Sequence, residues 1–325
     1  MKLIEYFVYI ICILTIIPLA ENIVVFFKNG LSADYASVYE DKMDKKLNIF
    51  SDITNNLNRW LNYFRVIILG IFFWFISFEK KNKWVICSLL ICILYYILYS
   101  INISSRAFIL CIFLLSGGCF LLLKKTYTAN TRKTIKKILI VFASIAICFM
   151  AFITISRYNV KSQKTIYEWV LLYISEGPIK FNNEMWDANH NTNGDVNLTL
   201  LKDMLDEKTY LTYQDRDEYY LMKNGRRIEV FYTYVGDFLS DFDYVGAFIC
   251  CLLLFLLGNH ILKNKKRITF EAYIVICFLI NLYVIGFASN MFRSYSMQRG
   301  VFYSFILLSL LFIYRNYRKK RTYLS

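Results

Sequence analysis

KKNKWVICSLLICILYYILYSINISSRAFILCIFLLSGGCFLLLKK, residues 80–125, holds two apolar runs, Trp84–Ile103 and Ala107–Leu123, closed at both ends by lysines and joined by Ser104-Ser105-Arg106. A bilayer core about 30 Å thick needs roughly 20 apolar residues per helix. Runs of that kind recur outward from this pair. Leu3–Phe27 and Leu61–Phe78 precede it; Ile138–Ile155, Tyr244–Leu262, Phe270–Ser289 and Gly300–Tyr314 follow it. The pattern predicts an all-α polytopic membrane bundle of about eight transmembrane helices. It forms one integral membrane domain over residues 1–325, with a large extracytoplasmic loop at 156–236 that carries short interfacial helices.

Composition agrees. Of the 325 residues 57% are hydrophobic, more than a soluble domain of this length carries, because its surface needs charge. The first run has no small-residue cleavage site after a short apolar core, so it reads as a span and not as a cleaved signal peptide. The nine cysteines, Cys12, Cys87, Cys92, Cys111, Cys119, Cys148, Cys250, Cys251 and Cys277, all lie in apolar runs. There they act as small hydrophobes, and no pair has the spacing and polar flanks of a zinc site.

Orientation follows from lysine and arginine in the short connections. One alternate set holds Lys80, Lys81 and Lys83; Lys124, Lys125, Arg132, Lys133, Lys136 and Lys137; Lys263, Lys265, Lys266 and Arg267; and the tail from Arg315 to Arg321. The other set is mixed: residues 28–60 carry five basic and five acidic side chains, and residues 156–230 ten and twelve. Each even-numbered span therefore ends on a basic cytoplasmic segment, and both termini are expected in the cytoplasm. The net charge of +14 is thereby assigned to topology and to contact with membrane lipids, not to nucleic acid.

Function is expected on the outer face, where polar groups meet the bilayer. The loop has an aromatic run at Tyr167–Ile174, a break at Gly177-Pro178, an Asn- and Asp-rich patch from Asn182 to Asp195, and helical apolar spacing from Leu198 to Leu205. Amides and carboxylates of the patch suit turns, and they also match sugar hydroxyls as donors and acceptors. Tyrosines on this side suit an interfacial belt or stacking on sugar rings.

Arginines persist on the outer side although the positive-inside bias should deplete them there. Arg106, Arg157, Arg293 and Arg299 are candidate pyrophosphate-binding residues, with Arg59 and Arg65 at the same boundary. A guanidinium donates two parallel hydrogen bonds to a phosphate and keeps its charge. Asp237 and Asp241, four apart and on one face if helical, are candidate catalytic bases for an attacking hydroxyl, as is His190, the one outer histidine. No phosphate-binding glycine loop, nucleotide fingerprint or zinc helix motif occurs, so no cofactor and no metal is expected.

The Ser105-Arg106 turn, the Ile155-Ser-Arg-Tyr158 end of the fifth run, the long outward loop and Tyr234-Val-Gly-Asp-Phe-Leu-Ser-Asp-Phe-Asp-Tyr-Val-Gly246 resemble the O-antigen polymerase (Wzy) family of repeat-unit polymerases. The resemblance implies a glycosyltransferase at the periplasmic face of a bacterial inner membrane. It would transfer a growing glycan from undecaprenyl pyrophosphate onto a new lipid-linked unit, making O-antigen or capsular polysaccharide. The implied partners are the undecaprenyl-pyrophosphate-linked oligosaccharide and the surrounding lipids, with a chain-length regulator as a further partner to look for. Members often have more spans, which implies a short member or a chain lacking an N-terminal portion. An O-antigen ligase has a similar layout, and a transporter or flippase of lipid-linked glycans is the alternative from another class.

Overall fold

A computed structural model of the chain describes residues 2–29, 50–78, 82–103, 105–161, 167–168, 171, 175, 178–179, 181–185, 191–205, 218–219, 221–222, 233–263, 268–286 and 295–323. The helices are α1 (Lys2–Asn29), α2 (Asp52–Tyr63), α3 (Arg65–Ile76), α4 (Lys83–Asn102), α5 (Arg106–Leu123), α6 (Ala129–Lys161), α7 (Thr199–Met204), α8 (Tyr234–Lys263), α9 (Phe270–Ile285) and α10 (Tyr295–Tyr323), with a π-helical turn at Phe181–Met185. No strand occurs among the described residues.

Among the described residues, four helical segments are long and apolar enough to cross a membrane: Lys2–Lys28, Lys83–Asn102, Tyr234–Lys263 and Met297–Tyr314. The bent pair α2–α3 makes a fifth if it is one span, and Phe108–Leu123 and Phe270–Val284 are apolar but shorter. Helices of this length and composition mark a membrane protein. All nine cysteines are free, and Cys12, Cys92, Cys111, Cys119 and Cys277 are buried.

Two compact units divide the chain, Met1–Gln163 with Phe302–Ser325, and Lys164–Val301. In the first, α1 and α4 lie parallel. Asn82 Nδ2 donates to Glu5 Oε2 at 3.4 Å, Thr15 meets Cys92 Sγ at 3.8 Å, and Asn102 Nδ2 donates to the Asn22 carbonyl and side-chain oxygens at 2.9 Å each. Residue offsets that stay nearly constant along both helices require one return passage between them, and α2–α3 supplies it. Val25, Phe50 and Ile103 close the end of this unit nearest Asn102, with Tyr99 and Phe108 against them.

That return passage corrects the sequence reading. The run Leu61–Phe78 is not one straight helix, and residues 52–60, expected in an outward connection, are helical. The pair α2–α3 bends by 58° at Phe64. There φ is −97° and ψ 2°, and the Phe64 N–H reaches the Leu61 carbonyl at 3.0 Å, a tightened last turn. Helix α2 is polar yet well started. Ser51 Oγ accepts the Thr54 N–H at 3.3 Å, and Ser51 is itself held by Glu21, whose carboxylate accepts its N–H at 2.6 Å and its hydroxyl at 2.9 Å.

In the second unit α8 carries a kink at Asp243, where φ is 61° and ψ −178°. The ends of α8 and α9 are tied by the Tyr234 N–H, which donates to the Gly286 carbonyl at 2.9 Å. Helix α9 begins at Thr269, whose hydroxyl accepts the Ala272 N–H at 3.4 Å.

Candidate functional site

In the first unit polar groups gather where α2 and the start of α3 meet α4. Tyr95 donates to Asn58 Oδ1 at 2.8 Å and Tyr96 to the Leu61 carbonyl at 2.7 Å. Both tyrosines are fully buried, and each sits more than a turn inside α4. Arg65, the first residue of α3, is 3% exposed. Its guanidinium carbon lies 4.2 Å from the centre of the Phe108 ring, a cation–π contact, within electrostatic reach of Tyr95, Tyr96, Tyr99 and Cys111. Phe108 is two residues beyond Arg106, so Arg65 reaches the helix start that Arg106 opens. An ionised side chain inside an apolar bundle is costly and marks a functional candidate.

In the second unit a loop is clamped onto α8. Thr192, Asn193, Gly194 and Asp195 form a tight turn in which the Asp195 N–H donates to the Thr192 carbonyl at 3.2 Å. Asn193 and Gly194 have φ of 51° and 88°, the left-handed pair that an Asn-Gly turn adopts. The turn delivers donors to Asp241. Oδ1 accepts the Thr192 hydroxyl and the Val196 N–H at 3.0 Å, while Oδ2 accepts the Asn197 N–H at 2.7 Å and the Asn197 side-chain amide at 2.8 Å. Asn197 Nδ2 also donates to the Asp237 carbonyl at 3.1 Å. Asp195, 1% exposed, accepts from Lys202 Nζ and from the Tyr219 hydroxyl at 2.5 Å each.

The far side of the loop meets α10. Gln298 Oε1 accepts the Leu200 N–H at 2.8 Å, and its amide donates to the Val196 carbonyl at 3.3 Å. Its neighbour Arg299 donates to the Tyr295 hydroxyl at 2.8 Å, with its guanidinium 4.2 Å from the centre of that ring. Burial, the largest influence, and a hydrogen bond with Asp203 push the Tyr295 phenol above its ordinary range against the pull of Arg299.

The structure thus brings Asp237, Asp241 and Arg299 into the second unit around one loop. Asp237 and Asp241 are one turn apart on α8, each 1% exposed. Asp241, a candidate base, has its two oxygens engaged by four donors, an arrangement that anchors the loop. Arg106 opens α5 and Arg157 lies in the last turns of α6, both in the first unit. His190 and Arg293 lie outside the described residues, as does most of the Tyr167–Ile174 run. Sequence reasoning missed the grip of Tyr95 and Tyr96 on α2, and the parts played by Thr192, Asn197 and Gln298. The Asn193-Gly194 dipeptide is the one local signal for the loop.

Comparison with family models, with curated proteins and with solved structures finds no match for this chain.

Proposed function

We propose that the chain is a membrane glycosyltransferase that joins undecaprenyl-pyrophosphate-linked oligosaccharide units on the outer face of the bacterial inner membrane. In this reading it spans the membrane about eight times, with both termini cytoplasmic and residues 156–236 on the outer side. The observation that supports it best is Arg65, a guanidinium held inside an apolar bundle, at the break of a bent span and beside the helix that Arg106 opens. Arginine at such a depth suits an anionic lipid head better than any neutral substrate. The leaving pyrophosphate gains charge as the glycosidic bond breaks, so fixed guanidinium groups near it stabilise the transition state more than the ground state. Sugar hydroxyls are met by the amides and carboxylates of the outer loop.

A second reading has its own support. A broken helix with a polar half is the device by which transporters bind substrate within the bilayer, and α2–α3 has that form. Purified protein in liposomes with lipid-linked repeat units separates the two. Glycan elongation without any core acceptor supports the polymerase. Transfer only to a lipid A core supports a ligase, and movement of the lipid-linked unit between leaflets without elongation supports a flippase.

A further inference from the structure

Helix α2 is too polar to face lipid at the place where it sits. It carries Asn55, Asn56, Asn58, Asn62 and Arg59 within twelve residues. Its first turn is held at Glu21, and Phe64, which ends it, packs ring to ring with Phe7 at 5.5 Å. Those contacts are separated by a rise of about 21 Å along α1, inside a segment long and apolar enough to cross the membrane. Asn58 and Leu61 meet tyrosines deep in α4. The helix therefore lies at membrane depth.

Among the described residues, one side of α2 is buried and the other exposed. Thr54, Asn58 and Leu61 are buried, whereas Asn56 and Arg59 are exposed and Trp60 is 52% exposed. Amide and guanidinium groups at this depth cannot face acyl chains, because nothing there replaces their hydrogen bonds to water. Trp60 stacks on Tyr303 with ring centres 5.8 Å apart and planes 24° apart, and Tyr63 lies 5.9 Å from the same tyrosine. Aromatic faces beside amides and a guanidinium offer the two things a sugar ring needs, an apolar platform for its C–H face and partners for its hydroxyls.

We infer that the outward face of α2, formed by Asn56, Arg59 and Trp60 with Tyr303, lines a water-filled cleft reaching into the membrane, and that this cleft seats a sugar ring of the lipid-linked substrate. The cleft follows from the depth and polarity of α2 alone; the sugar rests on the polymerase reading. Asn56→Cys, Arg59→Cys, Ile13→Cys and Ile17→Cys are made in a background where Cys87 and Cys148, the exposed cysteines, are serines. Each protein is reconstituted and treated with a membrane-impermeant methanethiosulfonate. Ile13 and Ile17 are exposed apolar positions of α1 and serve as lipid-facing references. The expected result is labelling at positions 56 and 59 about tenfold or more faster than at 13 and 17, slowed when purified lipid-linked repeat units are present. Equal rates at all four positions overturn the cleft. Fast labelling that lipid-linked repeat units do not slow overturns the sugar assignment. Neither result bears on whether the protein elongates glycan in the liposome assay, so the two proposals fail separately.

Discussion

Asn197 grips Asp241 twice on one oxygen, through its backbone N–H at 2.7 Å and its side-chain amide at 2.8 Å. With Thr192 and Val196 on the other oxygen, the carboxylate is the fastening point of the 192–197 loop. Asp241→Asn places a donor where donors already converge, and Asp241→Ala leaves them without an acceptor. Removing one partner of a buried charged network costs about 3–5 kcal/mol. Both variants should melt roughly 5–10 °C lower in detergent, and Thr192→Val, which removes one donor, should lose about 1 kcal/mol. If Asp241 were instead a spare catalytic base, Asp241→Asn would melt like the parent and lose only turnover.

Gly286 is where the end of α9 meets the start of α8. A Cβ there would overlap the Leu282 carbonyl oxygen and stand 2.7 Å from Tyr234 Cδ1, on the residue whose N–H bonds the Gly286 carbonyl. Gly286→Ala should therefore cost about 1–3 kcal/mol through overpacking, seen as a lower melting temperature. Tyr234→Leu in the same chain should recover part of the loss by removing the ring. A Gly286→Ala protein as stable as the parent would show that the two helix ends do not meet in this way.

The apolar runs around Ser104-Ser105-Arg106 are legible because their composition alone decides between water and lipid. The shared face of Asp237 and Asp241 is legible only on the condition of a helix there, and α8 meets it by starting at Tyr234, ten residues before the apolar run. Helix α2 is not legible. Its own residues read as an outward connection, and it is drawn into the bundle by hydroxyls of Tyr95 and Tyr96, more than thirty residues away. The fate of Asp241 is hidden for the same reason. Its partners lie more than forty residues upstream, and only the fold brings them to it.

Asp243 is held at φ 61° and ψ −178°, a backbone region open almost only to glycine. Its carboxylate accepts the Tyr244 N–H at 2.7 Å, which offsets part of the strain. Asp243→Gly should raise stability by about 0.5–1 kcal/mol, since the strain it relieves exceeds the hydrogen bond it loses. Asp243→Val should lower it, because a branched Cβ is worst in that region. Thermal melts of the two variants moving in the same direction would contradict the kink.

Arg106 and Arg157 test the chemistry without removing the buried charge at Arg65. Arg106 opens α5 and Arg157 lies in the last turns of α6. If they stabilise a pyrophosphate leaving group, Arg106→Ala and Arg157→Ala should abolish long polymer while the single lipid-linked unit persists and the protein still accumulates. Losing one charge-assisted contact made mainly in the transition state lowers turnover on the order of 10²-fold or more. Arg→Lys at either position should keep part of the activity, because the charge remains but the forked pair of hydrogen bonds does not. Arg65→Leu should behave differently, lowering protein abundance together with polymer, because its guanidinium also packs on Phe108. Chain-length ladders from cells, read beside membrane protein levels, distinguish these outcomes. Normal ladders from both alanine variants would remove the leaving-group role.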